Sequence, residues 1–176
     1  MRIFVTGATG FIGVPTVREL IAAGHEVLGL ARSEEGAQSL AAIGADVLHG
    51  SLNDPDILQK GASTSDAVIH LAFIHDWSNF AASCETDRRA IEAIGSALAG
   101  SNKPFLATGG LAGLALPGQV ATEKDVIPLD FPFPRVSEQT ALALIPQGIR
   151  ASVVRLPQVH DPVSYTHLTL PTILRV

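Results

Sequence analysis

Three glycines at intervals of three, Gly7, Gly10 and Gly13, lie in the run Val5-Thr6-Gly7-Ala8-Thr9-Gly10-Phe11-Ile12-Gly13. Their chemistry is that of bare backbone brought against an anion. Gly7 permits a tight turn, Gly10 lets the backbone approach a pyrophosphate, and Gly13 lets a helix pack close to a sheet. Thr9, Phe11 and Ile12 complete the loop, and the free N–H groups of the first helical turn face the anion. Arg32 and Ser33 come next, just past a second apolar run, Glu26 to Leu30. In a dinucleotide site an acidic residue there accepts hydrogen bonds from the adenosine ribose, whereas an arginine accommodates a 2′-phosphate. Arg32 therefore favours NADP(H), with NAD(H) as the second choice. Ser33 has two compatible readings. It contacts the same phosphate, or it caps a helix whose first turn holds Glu34 and Glu35.

The elements that must position these residues follow from periodicity. Ile3 to Val5 is an apolar strand, and Val14, Val17, Leu20 and Ile21 recur on one helical face. A strand, a glycine turn and a helix are the context that makes the triplet a fingerprint rather than an ordinary loop. A helix from Glu34 to Ile43 leads to a strand at Ala45 to Leu48, and Asp54-Pro55 opens a short helix as cap and first-turn proline. Asp66 to Leu71 reads as strand four, Asn79 to Ala99 as a long helix, and Phe105 to Thr108 as strand five. On the long helix, Cys84 belongs at or near the buried side, while Asp87, Arg88, Arg89 and Glu92 read as a solvated face with local ion pairs. A glycine- and proline-rich stretch runs to about Pro132, long enough to serve as a lid or binding loop. Then come a helix over Arg135 to Ile145 and a sixth strand over Ala151 to Leu156. Six strands alternating with helices predict an α/β fold, a doubly wound parallel sheet in the order 3-2-1-4-5-6.

The phosphate loop TGATGFIG resembles that of the short-chain dehydrogenase/reductase superfamily, in its extended or atypical branch of epimerase/dehydratase-like proteins. The resemblance continues to about His160, and what its motifs specify is cofactor binding rather than one reaction. It implies that Ser51-Leu52 lies near the adenine, with Ser51 where relatives carry an aspartate. It implies that Leu71-Ala72-Phe73 lies against the nicotinamide ribose, with Phe73 in place of a smaller residue. It also implies catalytic residues that this chain lacks. The usual serines or threonines ending strand five are reduced to Thr108, followed by Gly109-Gly110. Aligned on Ser137, the positions of the Y-x-x-x-K pair hold Pro134 and Glu138, neither able to act as an acid whose pKa a neighbouring ammonium lowers. Arg135-Val136-Ser137-Glu138 resembles the R-x-x-S-E pattern of an atypical subgroup. Arg135 and Glu138 form a helix-start ion pair in one reading and face the reacting atoms in the other, the ion pair being preferred.

Composition narrows the classes. The 176 residues, 47% hydrophobic with a net charge of -5, fit one globular domain and argue against a nucleic-acid surface. No apolar run approaches the ~18 residues of a membrane span, and the chain opens directly into a strand rather than a signal peptide. One cysteine excludes an internal disulfide framework and suits a reducing, cytoplasmic setting. His25 and His49 lack partners at ligand spacing, and the neighbours His75, Asp76 and Trp77 read as loop residues, so no metal site is expected. The run from Val163 to Thr172 back-translates to a transposon-end adapter used for sequencing libraries, and the family resemblance stops at the same place. Residues 1–161 are therefore expected to be the Rossmann domain, 162–176 a non-native tail, and the substrate-binding part to lie downstream. The sole tyrosine, Tyr165, falls in that tail.

These readings predict an NADP(H)-binding oxidoreductase or epimerase-like domain for a small carbonyl or alcohol, with Thr108 as the remaining catalytic hydroxyl. The competing expectation is a non-catalytic protein that senses NADP(H) for a partner. Pairing of two copies through the long helices is implied by the resemblance.

Overall fold

The computed structural model describes residues 1–111, 113–114, 118–127 and 132–156. The expected tail lies outside these, as do parts of the long loop after strand five. Strands β1 (Arg2–Thr6), β2 (Glu26–Ala31), β3 (Asp46–His49), β4 (Ala67–His70), β5 (Pro104–Gly109) and β6 (Arg150–Arg155) form one sheet in the order β3-β2-β1-β4-β5-β6. Every pairing is parallel, which requires a crossover between successive strands. The crossovers are helices α1 (Gly13–Ala22), α2 (Glu34–Ala42), α3 (Pro55–Ser63), α4 (Phe80–Leu98) and α5 (Ser137–Leu142). The doubly wound sheet anticipated above is thus the observed fold.

Helices on both faces bury the central strands completely, so β1 reads as a continuous apolar run. Its alternation sorts two cores. Ile3 and Val5 join Val17 and Leu40 beneath α1 and α2, while Phe4 joins Leu58, Ile91, Ile94 and Leu98 beneath α3 and α4. Each such fully buried side chain contributes roughly 1.5–3 kcal/mol. The winding direction reverses between β1 and β4, which opens a crevice at their carboxyl ends.

Three local expectations need correction. The fifth crossover helix, α5, covers only Ser137–Leu142, followed by a 3-10 turn at Ile145–Gln147. Pro146 has no N–H to continue the ladder, and in an α-helix its ring would strike the carbonyl of Leu142. Asp54 stands at the N-cap of α3 but makes no capping hydrogen bond, because its Oδ2 accepts from the Ser51 backbone N–H and hydroxyl, each at 2.8 Å. Asp87 leaves the solvated face altogether. It is 1% exposed, while its neighbour Arg88 does form the expected surface pairs with Glu85 and Glu92.

Candidate functional site

A cleft of about 970 Å³ runs along the carboxyl ends of all six strands. The glycine loop forms its floor at one end. Gly7 sits at φ 69°, and a Cβ there would lie 2.7 Å from the Ala72 nitrogen. A Cβ on Gly13 would lie 2.0 Å from the Gly7 carbonyl oxygen. Gly10 differs. Its N–H donates to the Gly7 carbonyl at 2.9 Å, and a Cβ on it would meet only that oxygen, at 3.2 Å. The rest of the space beside Gly10 is open cleft. Ile12 stands at the N-cap of α1 and offers no side-chain cap; in the first turn the Val14 N–H donates to the Gly10 carbonyl oxygen at 3.0 Å, and Pro15 has no N–H.

Thr9, Phe11, Ile12, Arg32, Ser51, Leu52, Leu71, Ala72, Phe73 and Thr108 line the same cleft as the glycines. Ser33 does not. Its hydroxyl oxygen accepts from the Gly36 N–H at 3.2 Å and caps α2. Ser51 donates its hydroxyl to Asp54 and accepts from the Asn53 N–H, so its polarity is largely satisfied within its own turn. The Thr108 hydroxyl donates to the His70 carbonyl oxygen at 3.2 Å.

Beneath the far half of the cleft runs a buried polar chain that sequence reasoning missed. The Thr6 hydroxyl meets His70 Nδ1 at 2.8 Å, and His70 Nε2 meets Asp87 Oδ1 at 3.1 Å. The Ser137 hydroxyl donates to Asp87 Oδ2, and Arg135 Nε donates to Ser137 Oγ at 2.9 Å. A carboxylate only accepts, so the His70 Nε2–H donates to Asp87. The chain links β1, β4, α4 and α5, and the buried side-chain polar atoms of Thr6, His70, Asp87 and Ser137 all have partners. One signal for Asp87 was available: it falls in helical phase with Cys84, Ile91, Ile94 and Leu98, all buried.

The expected pairing of Arg135 with Glu138 is overturned. Glu138 is buried and takes Arg155 through both carboxylate oxygens, at 2.6 and 2.9 Å. Arg155 also donates to the backbone oxygen of Asp125, tying a turn of the long loop to α5. Burial with a bidentate partner is the stronger arrangement, and it frees Arg135 to turn over the Phe73 ring, its Cζ 4.0 Å from the centroid. Desolvation pushes the Arg135 guanidinium below its ordinary pKa, and burial pushes the Cys84 thiol up. Among the described residues, no group of three or more His, Cys, Asp or Glu side chains converges as a metal site, and no helix is long and apolar enough to cross a membrane.

The sequence profile of the NAD dependent epimerase/dehydratase family matches residues 3–93, which carry the glycine loop and strands β1 to β4. The chain belongs to the NAD dependent epimerase/dehydratase family. It is 51% identical over 160 residues to an uncharacterized protein of Saccharomyces cerevisiae, covering 89% of this chain and 53% of that one. It is 47% identical over 178 residues to an uncharacterized protein of Schizosaccharomyces pombe, covering 100% of this chain and 59% of that one. The chain thus spans little more than half the length of these relatives. A short-chain dehydrogenase/reductase superfamily protein of Agrobacterium tumefaciens, solved with bound NAD, superposes with a TM-score of 0.65 at 21% identity, over 88% of this chain and 48% of that one. The open backbone cradle beside Gly10 fits the pyrophosphate of the nicotinamide cofactor for which the family is named.

Proposed function

We propose that this member of the NAD dependent epimerase/dehydratase family binds NADP(H) in preference to NAD(H) and serves a redox or epimerase-like reaction on a small carbonyl or alcohol. The observation that carries this reading is the single cleft shared by the glycine loop, Arg32, Ser51-Leu52 and Leu71-Ala72-Phe73. The open backbone at Gly10 would receive the pyrophosphate, Arg32 the 2′-phosphate, and the β4 exit the nicotinamide ribose. When bound, the cofactor supplies or accepts a hydride. The protein excludes water with Leu71, Phe73 and Ile74 and holds the acceptor's oxygen near the end of β5. Because the Thr108 hydroxyl is engaged with His70, it orients that floor, and the reaction draws its proton from water or from a group outside the described residues.

Arg32 distinguishes this from the NAD reading. In titrations followed by nicotinamide fluorescence, NADPH binds more tightly than NADH, and Arg32→Glu removes most of that difference. Equal losses for both cofactors would remove the assignment.

A second reading, a cofactor-sensing protein without turnover, is favoured by one observation. Glu138, at the position of the usual lysine, is committed to a buried ion pair with Arg155. NADPH oxidation with a panel of aldehydes, ketones and quinones decides between them, since tight binding without oxidation of NADPH supports the sensor. The proposal that residues 162–176 are non-native is tested at the DNA level, by sequencing the source across the Asp161 codon to a natural stop.

A further inference from the structure

Beyond Thr108 the cleft changes character. Phe73, His75, Trp77, Phe80 and Phe133 form a continuous aromatic wall, with Trp77 stacked on Phe80 at 5.2 Å and Phe133 5.4 Å from the other side of the cluster. One cation, Arg135, stands among these rings. Unlike Arg2, Arg88 and Arg155, it has no carboxylate partner among the described residues. The nearest acid, Asp87, sits behind Ser137 and spends its oxygens on Ser137 and His70.

Arg135 is also held still. Its Nε donates to Ser137, an N–H of its terminal nitrogen reaches the Thr108 carbonyl oxygen at 3.4 Å, and the Phe73 ring lies under its plane. A guanidinium fixed in this way has N–H donors to spare, already oriented for a planar bidentate acceptor. Burial has removed much of its water, and the charge of Asp87 beyond Ser137 offsets this only in part, a condition that a bound anion relieves. A ring cannot substitute for that anion, because cation–π attraction offsets only part of the lost hydration.

We propose that this end of the cleft binds an aryl carboxylate, with Arg135 as the partner of the carboxylate and Phe73, Trp77, Phe80 and Phe133 as the walls around the ring. The proposal rests on the cleft being a substrate site, as argued above, and it names the substrate class: a small aromatic acid whose carbonyl or hydroxyl carbon lies between its ring or carboxylate and the cofactor end. A planar carboxylate matches a single fork better than a phosphate, which carries more charge than one arginine offsets. Aromatic side chains receive a flat ring through offset and edge-to-face contacts, with less ordering cost than a flexible chain would bear.

The test uses the sole tryptophan as its reporter. Trp77 is 74% exposed at the mouth of this wall, so a ligand there changes its emission. The 176-residue chain is titrated with 3-phenylpropionate, a redox-inert probe, and with 3-phenylpropionamide, its neutral isostere. The acid is expected to bind at least about tenfold more tightly than the amide. Arg135→Met brings the two within about twofold, whereas Arg135→Lys keeps part of the preference because it keeps the charge. Circular dichroism verifies that each variant is folded, and the wild-type comparison stands even where Arg135→Met does not fold. Equal affinities in the wild type, or a preference that survives Arg135→Met, overturns the proposal. NADPH titrations on the same samples separate the two readings. Carboxylate preference without NADPH binding keeps the aryl-acid site and removes the cofactor assignment. NADPH binding without carboxylate preference removes the aryl-acid site alone.

Discussion

The two ends of the cleft are built from different materials. At the β1–α1 end the cleft is walled by bare backbone, and the side chains matter mainly by being absent, as at Gly7, Gly10 and Gly13. At the β4–β5–α5 end the working groups are side chains, held by the chain Thr6–His70–Asp87–Ser137–Arg135. A backbone site is specified by one contiguous stretch, because neighbours in sequence are neighbours in space. A side-chain network gathers residues up to 64 positions apart across one hydrogen bond, as between Thr6 and His70, and depends on how the elements pack.

This contrast breaks most sharply at Gly13. Gly13→Val places a branched side chain against the Gly7 oxygen, and the loop must move as a unit. We expect a loss of about 3 kcal/mol or more in urea denaturation together with loss of NADPH binding. Retained binding would mean that α1 can slide without disturbing the loop.

Asp87→Ala strikes the other end. It leaves the buried His70 N–H and the Ser137 hydroxyl without an acceptor, at a cost of about 3 kcal/mol. NADPH affinity should change by less than about threefold, since the phosphate loop lies outside this network. A larger change in cofactor affinity would show the two ends to be coupled through Thr6. Arg32→Glu comes next, weakening NADPH by about tenfold or more, roughly 1.4 kcal/mol, while sparing NADH.

Ser33→Ala sharpens the comparison at smaller scale. Loss of the α2 cap costs about 1 kcal/mol in thermal denaturation. A parallel drop in NADPH affinity would give Ser33 the second role anticipated from the sequence. The smallest effect concerns Cys84. Burial raises its thiol pKa, so less thiolate is present at a given pH. Mass spectrometry should find it unmodified by iodoacetamide under native conditions and modified in denaturant.

The legible part of the site was the part with a local cause. Gly7, Gly10 and Gly13 announced a turn and a close approach, and the place of Arg32 after β2 put it on the cleft. Ser33 was read correctly as a cap because capping is settled within three residues. Arg135 and Glu138 were misread for the same reason. Their closeness in sequence suggested a mutual pair, but a partner 17 residues away, Arg155, takes Glu138 once β6 lies beside β5. Asp87 was hidden by its charged neighbours Arg88 and Arg89, although its phase with Ile91 and Ile94 pointed inward.

The amino-acid order by itself determined the alternation of strands and helices, the parallel sheet order and the tight glycine turn from β1 into α1, because each follows from periodicity or from glycines acting over a few residues. Only the tertiary structure decided which charges are buried and with whom they pair. The energy of a buried ion or hydrogen bond depends on which groups from other elements exclude water around it. Arg135 is the clearest case: next to Glu138 in sequence it reads as a surface pair, and in the fold it is a fixed cation facing an aromatic cleft.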